Sequence, residues 1–263
     1  MLKTLLHVCL AGALLTSALL ADDWQKKFTV SGRPDLRVDA SDGSVTIRTW
    51  DRKEIEAHVT TRGWKIAPGE VTVVDHQTGD RVEIEVRIPR THFQFNFGQR
   101  SVRVELTVPR DLRSDIHTGD GGITVDGLHG ETHLSTGDGH IEADRLDGTL
   151  DAQTGDGRMR VRGRFDQLNL HTGDGSIDAE VENGSKMSTE WRIRTGDGHV
   201  TLRLPTSFSA DLDVHTEDGH IESDLPVTLS GLKRENELRG KLNAGGQALV
   251  VHTGDGSIRL ERL

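Results

Sequence analysis

Apolar and polar residues alternate along most of this chain, and the alternation restarts at regular intervals. Leu168, Leu170 and Thr172 share one face of a segment, and Ile177, Ala179 and Val181 resume the same phase beyond it. Ile193 and Thr195 stand in the same relation to Val200, Leu202 and Leu204, as do Val251 and Thr253 to Ile258 and Leu260. A period of two predicts strands buried on one face, with each threonine on the apolar side. Between the paired strands stands one four-residue turn. It reads Thr-Gly-Asp-Gly from Thr118 to Gly121, Thr136 to Gly139, Thr154 to Gly157, Thr172 to Gly175, Thr195 to Gly198 and Thr253 to Gly256. A seventh copy, Thr216 to Gly219, carries Glu217 in place of the first glycine.

The first four copies are 18 residues apart, the mark of a repeat architecture. Later gaps of 23, 21 and 37 residues read as enlarged coils, the last close to two periods with one turn missing around Ser230 to Leu242. A weaker copy lies upstream at Ala40-Ser41-Asp42-Gly43, and Thr78-Gly79-Asp80-Arg81 looks like a looser turn of the same kind. A meander of hairpins and a β-solenoid with rungs about 4.8 Å apart both fit such strands. The even spacing favours the solenoid, because a meander needs no fixed coil length. The expected fold is therefore all-β: one elongated stack of 18-residue coils with Thr-Gly-Asp-Gly turns. The second turn glycine has no exception among Gly121, Gly139, Gly157, Gly175, Gly198, Gly219 and Gly256. That invariance suggests a positive φ at this position.

Composition agrees: 33% hydrophobic residues, 30 glycines and only 6 prolines suit one β domain over residues 22–263. Residues 1–21 read differently. A basic start at Lys3, an apolar run from Leu5 to Leu20, and Ala21 before Asp22 form a signal-peptide pattern, with an uncleaved membrane anchor as the rival. Cys9, the one cysteine, lies inside that run, so the expected mature chain has no disulfide. Lys3 is also the leader's one formal charge, so its loss takes the net charge from −10 to −11. An acidic chain without a basic stripe is a poor nucleic-acid binder, which leaves proteins, glycans or cations as partners.

Three groups could carry chemistry. The turn aspartates, Asp120, Asp138, Asp156 and Asp174 first among them, would stack as a ladder with roughly 0.9 kcal/mol of repulsion per pair in water. Flanking Arg158 and Arg194 could offset it, or a shared cation could. One carboxylate per coil supplies few oxygens, so the turn-forming role is preferred and no cofactor is expected. Histidines make the second group. His117, His171, His215 and His252 precede the threonines, and His140, His199 and His220 follow the second glycines. Alternation puts both sets, and His133, on the outward face, where imidazoles can bind zinc or sense pH. Their columns also hold Ser135, Gln153, Gly122 and Ser176, which reads as a solvated surface. Phe93, Phe95 and Phe97 are the third group, three of the six phenylalanines on one strand face. They would cap an end of the stack or present an apolar patch to a partner.

Catalysis finds little support: neither G-x-S-x-G nor H-E-x-x-H occurs, and carboxylates repeated in every coil do not make a singular active site. A carbohydrate-active β-helical enzyme is the weakest of three readings. The run Val102 to Pro109, then His117-Thr118-Gly119-Asp120-Gly121-Gly122-Ile123-Thr124-Val125 and Leu128-His129-Gly130, resembles the bacterial DUF4097 family, known as the "putative adhesin" family. So do Leu238 to Gly246 with Leu249 to Ile258, and Val45 to Asp51 resembles a first coil. Over roughly residues 28–263 the resemblance implies an exported, envelope-associated β-solenoid with no catalytic residues to carry over. The reading is a non-catalytic, adhesin-like interaction protein of the periplasm, cell surface or medium, with a cation-dependent binding module second.

Overall fold

The computed structural model describes residues 21–88, 100–230 and 234–263. Among these the chain is all-β, with no helix and a single sheet of 21 strands. In chain order these are β1 (Ala21–Thr29), β2 (Asp35–Ala40), β3 (Ser44–Trp50), β4 (Glu54–Arg62), β5 (Thr72–Thr78), β6 (Arg81–Arg87) and β7 (Ser101–Pro109). Then follow β8 (Asp111–Thr118), β9 (Ile123–Asp126), β10 (His129–Thr136), β11 (Ile141–Thr154), β12 (Met159–Thr172), β13 (Ile177–Val181) and β14 (Trp191–Thr195). The last are β15 (Val200–Leu204), β16 (Ala210–Thr216), β17 (Ile221–Ser223), β18 (Val227–Leu229), β19 (Glu237–Leu242), β20 (Ala248–Thr253) and β21 (Ile258–Arg262).

Two parallel ladders make up the body. The first runs β6, β2, β8, β10, the second halves of β11 and β12, then β14, β20 and β16. The second runs β7, β3, β9, the first halves of β11 and β12, then β13, β15, β21 and β17. The chain crosses from the first ladder to the second at each Thr-Gly-Asp-Gly turn. The segments on either side of a turn pair with neighbouring coils in parallel and not antiparallel with each other, so the turn is a corner and not a hairpin. Thr118 pairs with Thr136, Thr154 with Thr172, and Thr172 with Thr195. Inward positions carry the core, as the alternation requires. Ile116, Ile123, Val125, Leu150, Val161, Ile177, Leu202 and Leu260 are all buried. Trp191 is the largest buried side chain of this core, packed edge-on to Phe165 and tilted against Phe208.

Stack order departs from chain order at both ends. The coil formed by β2 and β3 lies between β6–β7 and β8–β9. The final coil, β20 and β21, lies between β14–β15 and β16–β17. The outermost places go to antiparallel strands: β5 on β6 and β1 on β4 at one end, β19 and β18 at the other. A stack's end presents unpaired backbone and an open core. Here β1 buries Phe28, and Lys26 on the same face pairs with Asp75 of β5. Gln77 also donates to the Thr29 carbonyl at 2.8 Å. The 37-residue gap read as two coils with a missing turn is instead this second cap. Thr78 to Arg81 likewise closes the β5–β6 hairpin, with Gly79 at φ 61°, so it reverses the chain and is not a corner. Asp80 there accepts the Ser31 and Gly32 N–H groups at 2.7 and 2.9 Å, and the Ser31 bond holds its carboxyl below the usual range. Phe93, Phe95 and Phe97, expected to cap or to bind a partner, lie outside the described residues, as does the leader through Leu20.

Candidate functional site

Each corner is built by three side-chain facts. The threonine hydroxyl donates across the stack to the second glycine's carbonyl in the neighbouring coil, as Thr136 does to Gly121 at 2.9 Å and Thr154 to Gly139 at 2.9 Å. The bond recurs from Thr118 to Gly43, which makes the weak upstream copy a true coil of the same stack. The hydroxyl also accepts its own turn's N–H, as from Gly157 to Thr154 at 3.3 Å. Threonine therefore fills a β-branched core position while satisfying a carbonyl and an N–H that valine would leave bare. Thr154→Val is expected to cost about 2 kcal/mol through these orphaned groups. Urea unfolding would read it, and a midpoint unchanged from the parent would refute the role.

The second glycine serves closeness, not a left-handed backbone. None of Gly121, Gly139, Gly157, Gly175, Gly198, Gly219 and Gly256 has a positive φ. A Cβ on any of them would lie under 3.0 Å from the carbonyl oxygen of its counterpart in the adjacent coil, Gly43 serving for Gly121. The expectation of positive φ is thus corrected: the side chain is excluded by the stacked turn beside it. At the first glycine position the rungs approach to 2.5 Å between Gly196 N and Gly173 O, but open to 3.1 Å between Glu217 N and Gly254 O. Glu217 stands in the last turn of the stack, with no further corner packed on its far side.

Asp120, Asp138, Asp156 and Asp174 are exposed along this corner edge. Among the described residues no three His, Cys, Asp or Glu side chains gather in a metal-binding group. The histidines do face outward. His140 accepts the Arg158 N–H at 3.1 Å and His199 the Ser257 N–H at 3.2 Å, so each ties one coil to the next through Nδ1. The outer face of the second ladder forms a hollow of about 550 Å³ lined by Arg48, Glu142, Arg160, Arg162, Glu180 and Arg203, among others. Its charges largely answer one another. Arg203 bridges Asp178 at 2.6 Å and Glu261 at 3.0 Å, and Arg162 bridges Glu180 and Glu182, both at 3.1 Å.

The outer face of the first ladder differs. His171 pairs in register with Arg194, Arg194 with His252, and His252 with His215. Chain order hides this row, because His252 reaches it only through the inserted final coil. Its partners would otherwise be read as His171, Arg194 and His215. Burial pushes the His252 imidazole below its usual pKa; Asp213 opposes this, while Arg194, His215 and Arg239 reinforce it. A folded pKa below the unfolded one means the unfolded chain takes up the proton first. Stability therefore falls as pH drops below about 6.5, the unfolded imidazole value, toward the folded pKa. Urea midpoints from pH 8 to 5 should decline less steeply in His252→Gln than in the parent; parallel slopes would remove His252 as the cause.

Comparison with known proteins follows the fold. A family model described as Toastrack DUF4097 matches residues 112–261. No curated protein sequence matches the chain. Among solved structures, a "putative cell adhesion protein" from Clostridium sporogenes ATCC 15579 is 11% identical, with 92% of this chain and 100% of that one covered at a TM-score of 0.43. A "putative adhesin" from Parabacteroides merdae ATCC 43184 is 10% identical, covering 91% and 96% at 0.43. A "putative lipid binding protein" from Parabacteroides distasonis ATCC 8503 is 12% identical, covering 91% and 96% at 0.42.

Proposed function

The chain belongs to the Toastrack DUF4097 family, and from that premise we propose that it is an exported β-solenoid that binds an envelope polymer or protein without transforming it. We take its repeating unit to be the 18-residue coil, a reading supported by the pairing of His133 with Asp151 and of Asp151 with Asn169. The observation that carries the reading is the repetition of outward side chains. Corner after corner sets equivalent residues in straight rows on two faces of one continuous sheet. Such rows suit an extended ligand held at many weak points better than a small substrate held at one. The apolar segment Leu5 to Leu20, with Ala21 before Asp22, supplies the export signal. No helix among the described residues is long and apolar enough to cross a membrane.

The experiment is cell fractionation of the chain carrying a C-terminal tag, followed by binding of the purified protein to immobilised envelope polysaccharides and proteins. Export with loss of residues 1–21, and saturable binding that leaves the polymer intact, are expected. A cytoplasmic full-length chain would overturn the export reading, and released oligosaccharide would replace binding by catalysis.

A further inference from the structure

The first ladder's outer face carries a row of four side chains on four consecutive rungs: His171 on β12, Arg194 on β14, His252 on β20 and His215 on β16. Rungs stand about 4.8 Å apart, so the row is a straight line of one permanent and three titratable cations. It is unlike the rest of the same column. Ser135 pairs with His117 and with Gln153 on the rungs leading in, and Glu237 faces His215 on the rung beyond. From these observations we propose that this row is the docking line for an acidic polysaccharide, engaged when its histidines are protonated.

The surroundings favour that ligand. Arg194 makes no ion pair among the described residues, whereas Arg192 beside it is paired with Glu190 at 2.6 Å. Arg239, on the far side of Asp213, is shared by Asp213 at 3.2 Å and Glu237 at 3.1 Å. Arg194 thus gives the row one permanent charge that no carboxylate among the described residues answers. Protonated imidazoles add up to three more along one line; the acids nearby are Asp213 and Glu237, both held by Arg239, and Asp151, which lines the same face beside His171. Asn169, next to Arg192 on the adjacent row, has a buried Oδ1 with no partner. It lines an open hollow of about 380 Å³ together with Asp151, Gln153, His171, Arg192 and Arg194.

Other polyanions fit less well. Bases need aromatic platforms, but Trp191, the aromatic of β14, is buried at 0% exposure. A membrane needs apolar residues at its contact face, but among the described residues the exposed large apolar ones are Val74, Leu229 and Leu263. None of these is in the row. The chain's net charge of −10 disfavours a polyanion over the surface as a whole, so binding needs a local cationic line such as this one.

A polyanion draws protons onto the histidines it touches, so binding and protonation favour each other. Besides burial, the groups that set this balance for His252 are Asp213 and His215 from β16, Arg194 from β14 and Arg239 from β19.

This inference rests on the envelope-binding reading and assigns its face. The test is biolayer interferometry of the purified protein on immobilised alginate, dextran sulfate, neutral dextran and single-stranded DNA, at pH 5.5 and 7.5. Binding to the two acidic glycans is expected to be at least tenfold tighter at pH 5.5, weakened by salt, and absent on neutral dextran. Arg194→Ala and the double variant His171→Gln/His252→Gln should each lose tenfold or more at pH 5.5 while melting like the parent at pH 7.5. Equal affinity at the two pH values, or equal affinity in the variants, would overturn the docking line. If the variants bind alginate as the parent does, a different face holds the polymer and the envelope-binding reading stands. Failure of export, by contrast, would strike that reading itself. Tighter binding to DNA than to either glycan would reassign the row to nucleic acid.

Discussion

Gly157→Ala is expected to destabilise the protein by about 3 kcal/mol, although it adds a single methyl group. Gly157 sits mid-stack, where a Cβ would fall under 3.0 Å from the Gly139 carbonyl carbon and oxygen and from Thr154 Oγ1. Backbone cannot yield there without parting the rungs, and parting them lengthens the Thr154 hydroxyl bonds on the same corner. For a domain of this size the loss corresponds to a fall in melting temperature of about 6–12 °C. Gly122→Ala is the control. It lies next to a corner, and its nearest neighbour would be the His140 carbonyl at 3.5 Å, an ordinary contact. It should fall within about 0.5 kcal/mol of the parent. Scanning calorimetry of the two variants would decide the matter, and equal melting temperatures would show that rung closeness is not what excludes a side chain.

Removing residues 247–263 should abolish cooperative folding altogether, unlike removal of an outermost coil from an ordinary stack. The final coil is not at the end. Its β20 pairs with both β14 and β16, and its β21 with both β15 and β17. Without it, two rungs lose their partners on facing edges and the buried Leu249, Val251, Ile258 and Leu260 leave the core. Burial of these side chains alone is worth about 8 kcal/mol, comparable to the whole stability of a domain. Circular dichroism melts of the truncated chain should show no sigmoidal transition. A cooperative melt within a few degrees of the parent would mean that β14–β15 and β16–β17 close on each other, and that the inserted coil is dispensable.

The two predictions test different layers of what the sequence encodes. The corner is local: spacing of 18, a threonine on the apolar phase and an unfailing glycine are all visible in the chain. The reason for the glycine was not, because the clash involves a carbonyl one coil away and no property of the residue's own backbone. Strands, outward histidines and exposed aspartates were legible for the same local cause, since alternation assigns each side chain a face. The caps were legible only as departures from the period. A 37-residue gap says that something other than a standard coil is present, but not that β18 and β19 turn antiparallel across the end.

What the sequence by itself determined is therefore the unit: an all-β coil, its two faces, its corner, and membership of a family of such chains. Tertiary structure alone decided the order of the units. Coils that share one hydrophobic pattern and one turn can stack on one another interchangeably, so local pattern cannot say which lies beside which. That choice depends on where the cap hairpins leave room. It sets the second coil position for β2–β3, the penultimate one for β20–β21, and with the latter brings His252 between Arg194 and His215.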